Sequence, residues 1–285
     1  MPHRQLGRQL RDMRQEAGLS IAMAAKAIGR GAGTLQRLET GSANVIHDKD
    51  IENLCKLYQR PEKLASLKTL AAQRREQSWW DQDTNDQFAP SFSAYLGLEA
   101  VAQRLTIYRP DTVPGLLQIG EYVEALDRRY FGEDDLPEDR ERRMQVRRSR
   151  QTLITRSVHP LEVEVVLDEC VLYRISGGPK VMSRQLKYLA DLPSTVTVRI
   201  LPNNAGFPLG KVVGNFTIVD FDTTEAGEPS EPPTVYIESY SGGIHLAAAD
   251  DVRRYRRAYW TIQRAALDVA ASKHLLRQAA KEYAP

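Results

Sequence analysis

Cysteine is scarce in this chain: 285 residues include two, Cys55 and Cys170. They lie far apart and form neither a CxxC pair nor a disulfide framework, which excludes a stapled secreted module and fits core thiols in a reducing compartment. Long apolar runs are absent as well. No stretch approaches the ~20 residues that a membrane span requires. The opening MPHRQLGRQLRDMRQ is charged from the start, where a signal peptide would carry an apolar core. The expectation is a soluble, cytoplasmic protein with no membrane partner. Catalytic signatures are missing too. The histidines, at positions 3, 47, 159, 245 and 274, make no HExxH or other close metal-ligand pattern, and no GxSxG elbow presents a nucleophilic serine. Ser176-Gly-Gly-Pro-Lys180 lacks the spacing with which a phosphate loop cradles a nucleotide, and reads as a turn into the following helix. Asp168-Glu169 is the one acidic pair worth weighing for acid/base work, and a cap or salt-bridge role is favoured over catalysis. No enzymatic activity, cofactor or metal is expected.

What is present is an ordinary globular composition, 42% apolar and 27% charged, over a length that suggests two or three domains. The net charge of +2 conceals an asymmetry. Residues 1–75 hold fourteen Lys/Arg against seven Asp/Glu, a balance of +7, and the remainder holds twenty-five against thirty, a balance of −5. Positive potential is therefore concentrated in an N-terminal segment of a size suited to nucleic acid.

That segment has helical periodicity. Leu6, Leu10 and Met13 mark one apolar face of a helix over about 3–17, ended by Gly18 in a left-handed cap. Ser20 is an N-cap for a short helix through Ile28 that Gly29 stops. In GAGTLQRLETG, Leu35 and Leu38 are spaced to face a core while Thr34, Gln36 and Arg37 stay outside, the layout of a DNA-recognition helix. A fourth helix starts near Asp48, with Ile51, Leu54 and Leu57-Tyr58 inward. A fifth follows Pro61, with Leu64, Leu67 and Leu70-Ala71.

LRDMRQEAGLS, AAKAIG and TLQRLETG, across about residues 3–60, resemble the helix-turn-helix of the Cro/phage-repressor and xenobiotic-response-element class. In that class the helix after the turn enters the major groove, with side chains near its N-terminus reading base edges while other donors hold phosphates. The resemblance implies DNA contacts from Arg30, Thr34, Gln36 and Arg37. Glu39 is typical of the class too, and beside a basic residue and a glycine turn its expected role is structural. Two departures stand out: Ile21 replaces the customary glutamine, and Gly31 and Gly33 open the recognition helix, each weakening it by about 1 kcal/mol relative to alanine. The glycines either permit close approach to the DNA backbone or mark a weak binder that depends on dimerisation or a partner.

From Ser78 the composition shifts to WWDQDTNDQFAPSFS, a linker, before periodicity resumes at Tyr95, Leu98 and Val101. IYRPDTVPGLLQIGEYVEAL reads as an extended stretch, a Pro-Gly turn and a helix. LPEDRERRMQVRRSRQTLI is a helix with proline first and acids in its first turn. Its arginines at 140, 142, 143, 147, 148 and 150 are within reach of DNA flanks in principle, but a solvated charged face is the favoured reading. The tandem tryptophans, YLGLE, VPGLLQIGEYV and DECVLYR…GGPKVMSRQLKYL resemble the C-terminal region of actinobacterial WhiJ-type regulators over roughly 79–280. That resemblance implies a developmental regulator and a small BldB-like partner protein encoded nearby.

Strand patterns follow in LEVEVVLDE, TVTVRILP, GNFTIVDF and PTVYIES, with a helix at VMSRQLKYLADL. They imply an α+β domain with a mixed or antiparallel sheet. A long final helix over about 250–283 carries a seam of Val252, Tyr255, Tyr259, Ile262, Ala266 and Val269, and packing on the sheet is favoured over dimerisation. The expected domains are 1–77, a DNA-binding helix-turn-helix; 78–160, a helical middle segment; and 161–285, an α+β sensing or partner-binding domain. The function expected is a sequence-specific transcriptional regulator, a repressor acting as a homodimer on an operator. The alternative is an antitoxin-like protein that binds a small partner and uses DNA binding for autoregulation. A DNA-tethered enzyme is the third reading, with no reaction to name.

Overall fold

The computed structural model describes residues 2–40, 47–68, 71, 90–132, 135–222 and 231–284, without the side chains of 2–5 and 90. The boundary expected at 77/78, the tandem tryptophans, Leu70 and most of the acidic, Pro-rich loop before PTVYIES lie outside the described residues. The chain divides into two units, Met1–Asp83 and Thr84–Pro285.

The first unit is helical: α1 (Pro2–Glu16), α2 (Ile21–Ala27), α3 (Ala32–Glu39), α4 (Asp48–Leu57) and α5 (64–68), the last preceded by the 3-10 turn Pro61–Lys63. Leu6, Leu10 and Met13 of α1, Ala24 and Ala25 of α2, Leu35 and Leu38 of α3, Ile51 and Leu54 of α4 and Leu67 of α5 form one core. The turns out of α1 and α2 follow one pattern. After α2 the amide of Gly29 donates to Lys26 and that of Arg30 to Ala25; after α1 those of Gly18 and Leu19 donate to Gln15 and Arg14. Both glycines take φ near +70° (67° and 70°), which a side chain would disfavour.

The second unit is built on a six-stranded sheet in the order β3-β2-β1-β4-β5-β6, counted among the described residues. Its strands are β1 (Arg104–Arg109), β2 (Glu162–Asp168), β3 (Val196–Leu201), β4 (Phe216–Asp220), β5 (Thr234–Ser239) and β6 (Gly242–Leu246). β1, β2 and β3 run parallel; β4 is antiparallel to β1, and β5 and β6 continue as an antiparallel meander. The sheet is thus mixed, as expected of an α+β domain. The parallel half is covered on both faces, which is why β2 reads VVL without a polar break.

Two expectations are corrected. Residues 78–160 are not a separate helical segment, because β1 lies between β2 and β4. The helices α6 (Pro90–Ala100), α7 (Gly120–Phe131) and α8 (Pro137–Thr155) are the lead-in and the crossover of the same sheet. The single final helix is instead two, α10 (Ala249–Ala265) and α11 (Val269–Glu282), after α9 (Pro179–Ala190). The chain leaves the helix to join β3: the Leu267 amide donates to the Ile200 carbonyl and the Ile200 amide to the Ser272 hydroxyl. Asp268 then caps the restart by accepting from the Ala271 amide at 2.7 Å. Val252, Tyr259 and Ile262 of α10 pack on Tyr108, Val166, Phe216, Ile218 and Val235, one face of the sheet, while α11 packs on α9 and β3.

Candidate nucleic-acid interface

The helix-turn-helix is α2, the turn through Gly29 and α3. Ser20 caps α2 as expected, its hydroxyl accepting from the Met23 amide at 3.2 Å. Leu35 and Leu38 anchor α3 to the core, so Thr34, Gln36 and Arg37 are exposed on its other side. A guanidinium nitrogen of Arg37 donates to the Thr34 hydroxyl at 3.4 Å. The outward face expected from the sequence is present. Arg30, in the turn, is also exposed, but its Nε donates to Asp50 of α4 at 3.0 Å. The turn is therefore tied to α4 as well as carrying a cation.

What holds α3 is a buried ion pair. The Arg14 guanidinium meets the Glu39 carboxylate with both forks, Nε to Oε1 at 2.6 Å and Nη2 to Oε2 at 2.8 Å, and its remaining nitrogen donates to the Leu19 carbonyl at 2.7 Å. Arg11 adds a longer contact to the Glu39 carbonyl, 3.4 Å. One arginine thus joins α1, the entry to α2 and the end of α3, and the hydrogen bonds to Glu39 hold its pKa above the ordinary arginine value against the opposing effect of burial. Bidentate geometry fixes orientation as well as distance. Gly7 completes the crossing of α1 and α3: a Cβ there would lie 2.6 Å from the carbonyl oxygens of Leu38 and Glu39. Neither Arg14, Asp50 nor Gly7 was singled out by sequence, although each stands in a helix whose periodicity was evident.

The glycines of α3 are different. Gly31 is the N-cap, with extended backbone and no side chain to accept from the first amides of the helix. At Gly33 an added Cβ would meet, among the described residues, the end of the Arg37 side chain at 3.7 Å. The fold requires neither glycine.

Residues 92–278, about two thirds of the chain, match the family described as Domain of unknown function (DUF5753). The chain belongs to the DUF5753 family. Residues 5–67 match a family described as Helix-turn-helix domain, the architecture of a DNA-binding regulator. Neither curated proteins nor solved structures give a match.

Within the DUF5753 unit, the arginines of α8 depart from the solvated face expected of them. Arg142 and Arg148 do face solvent, but Arg143 and Arg150 are buried. Arg143 pairs with Asp127 at 3.2 Å and Asp135 at 2.6 Å, and Arg150 with Glu99 at 2.6 Å. Asp168 and Glu169 serve the backbone: Asp168 accepts from the Cys170 amide at 3.0 Å and Glu169 from the Asn203 amide at 2.7 Å. Among the described residues no group of three or more His, Cys, Asp and Glu side chains is placed to hold a metal ion, and no helix is long and apolar enough to cross a membrane.

Proposed function

We propose that this protein is a cytoplasmic, sequence-specific transcriptional regulator of the WhiJ type, a repressor that binds a pseudo-palindromic operator as a homodimer. The observation that carries the reading is α3: a short helix whose Thr34, Gln36 and Arg37 project outward from a core that holds Leu35 and Leu38, with its end locked by Arg14–Glu39. Gln36 and Arg37 read base edges in the major groove, where glutamine suits adenine and arginine guanine. Thr34 and Arg30 hold phosphates. The uncapped amides at Gly31–Gly33 suit a phosphate oxygen, since helix N-termini favour anions. The DUF5753 unit is the effector- or partner-binding half rather than a catalytic one, and a small BldB-like protein is the partner that the resemblance to WhiJ-type regulators suggests.

The test is binding of the purified full chain to its own upstream DNA and to scrambled DNA across a salt series. Gln36→Ala and Arg37→Ala each lower the preference for the true site, at about 1–3 kcal/mol per lost base contact, while Thr34→Ala weakens both DNAs alike and Arg30→Ala in addition flattens the salt slope by about one. A chain that does not prefer its own DNA even at low salt overturns the operator-reading role. Co-purification of a stoichiometric small protein in that case would place the antitoxin-like reading first.

A further inference from the structure

On the face of the sheet opposite α10, a cavity of about 200 Å³ is floored by Ile107 of β1, Thr217 of β4 and Tyr236 of β5, which lie side by side in register. α6 supplies an aromatic wall: Tyr95 stacks on Tyr236 with ring centres 4.3 Å apart, and Phe92 lies beside it. α8 supplies two guanidinium groups, Arg147 and Arg150, and Arg109 stands at the end of β1. The space is enough for one small ring with a substituent.

The arginines differ in what neutralises them. Arg109 has Asp111 at 3.0 Å and Glu238 at 2.9 Å, and Arg150 has Glu99 at 2.6 Å. Arg147 has no carboxylate within hydrogen-bonding distance among the described residues. Its Nη1 donates to the neutral amide oxygen of Gln118 at 2.9 Å, and the Asp127 carboxylate stays 3.7 Å from its Nη2 while accepting from Arg143 at 3.2 Å. Its pKa is pushed down to about 10, first by burial and then by Arg150. Gly115 lets the two guanidinium groups converge: a Cβ there would lie 3.1 Å from Arg150 Nη1 and 3.3 Å from Arg147 Nη1.

We propose that this cavity is a ligand site for a small organic carboxylate with a planar apolar body, its carboxylate held by Arg147 and its body lying along Phe92, Tyr95 and Tyr236. A guanidinium fork matches a carboxylate with two parallel hydrogen bonds, and low-dielectric, mostly preformed pockets with a few convergent polar groups are where small molecules bind. Aromatic rings give the body a flat contact surface. The inference rests on the cavity alone and stands whether or not the first unit reads DNA.

Benzoate is the probe, with benzamide as its uncharged counterpart and inorganic phosphate as an anion without a body. Titrated into the full chain by calorimetry and ligand-observed NMR, benzoate binds at millimolar strength or better. Benzamide binds about tenfold more weakly, and phosphate likewise. Arg147→Met and Arg147→Lys each lose about tenfold for benzoate, the lysine because a point charge replaces the fork. Circular dichroism confirms that each variant is folded, and the lysine variant keeps the test available if the methionine variant is not. The proposal is overturned if benzoate shows no saturable binding up to tens of millimolar, if benzamide or phosphate binds as well, or if both folded variants bind benzoate like the wild type.

Discussion

The arginine of α3 and three of those on α8 look alike in sequence and end in opposite environments. On α3, Arg37 is outward because the inward positions are Leu35 and Leu38. On α8, Arg143, Arg147 and Arg150 recur at spacings of four and three, the same rule that buries leucines, and with Val146, Leu153 and Ile154 they form the inward face. What admits a charge to that face is the set of carboxylates waiting on other elements, Glu99 on α6 and Asp127 on α7. Arginine content on a helix therefore says little about nucleic acid. The facing carboxylates decide whether the charge is structural or available.

The strongest way to break the comparison is to remove those carboxylates. Glu99 is almost fully enclosed and takes both forks of Arg150, at 2.6 and 3.0 Å, plus the Tyr95 hydroxyl at 2.9 Å. Glu99→Gln leaves a buried guanidinium uncompensated and lowers unfolding free energy by about 3–5 kcal/mol, read as a fall in denaturation midpoint. Glu39→Gln does the same to Arg14 and, in addition, weakens binding to both DNAs because α3 loses its anchor. The double substitution Glu99→Leu with Arg150→Met recovers most of the loss, since well-packed apolar side chains often replace a buried pair without cost. A double variant no better than Glu99→Gln would show that the pair stabilises beyond what packing supplies.

A smaller effect with the opposite sign sharpens the α3 side. Among the described residues Gly33→Ala meets no backbone from another element, and its φ is not strained, so it stabilises the helix by about 0.5–1 kcal/mol. If Gly33 is there to let the DNA backbone approach, the same variant binds its operator more weakly while melting higher. Higher stability with unchanged binding would mean that the glycine is only a weak point in the helix.

Much of this was legible beforehand. The stripes Leu6-Leu10-Met13 and Leu35-Leu38, the Ser20 cap and the stops at Gly18 and Gly29 placed α1 to α3, because these signals are local. β2 to β5 were visible from alternation. β1 was read only as an extended stretch, since RLTIYR is short and becomes a strand through partners more than fifty residues away. β6, with its paired glycines, carries no strand signal at all. At Asp268 a cap residue was present but masked by a seam that runs through it in register. Ion pairs were invisible for the same reason as β1: Arg14 meets Glu39 across 25 positions and Arg150 meets Glu99 across 51. The outward positions Thr34, Gln36 and Arg37 were legible because exposure follows from helical period, whereas the residues that hold α3 in place depend on contacts that only the folded chain makes.

The smallest expected effect is the most discriminating. Arg147 and Arg150 stand one turn apart on α8, yet among the described residues Arg150 has a carboxylate at 2.6 Å and the nearest to Arg147, that of Asp127, stays at 3.7 Å. The pKa of Arg150 is raised because Glu99 outweighs the burial that opposes its charge. Arg147 is the reverse case, its pKa depressed to about 10 by burial. A base held below its ordinary pKa keeps its charge against the fold: the deficit is fully present below about pH 10 and is relieved as pH rises toward the unfolded value. At pH 7, then, Arg147→Met removes an unfavourable charge and loses one hydrogen bond to Gln118, so its stability stays within about 1 kcal/mol of wild type, while Arg150→Met falls by several. A loss of the same size at both positions would make α8 a single structural network and leave the cavity without a cation in reserve. A loss at Arg150 alone would mean that the fold does not need Arg147, and that its charge is kept for something the folded chain itself does not contain.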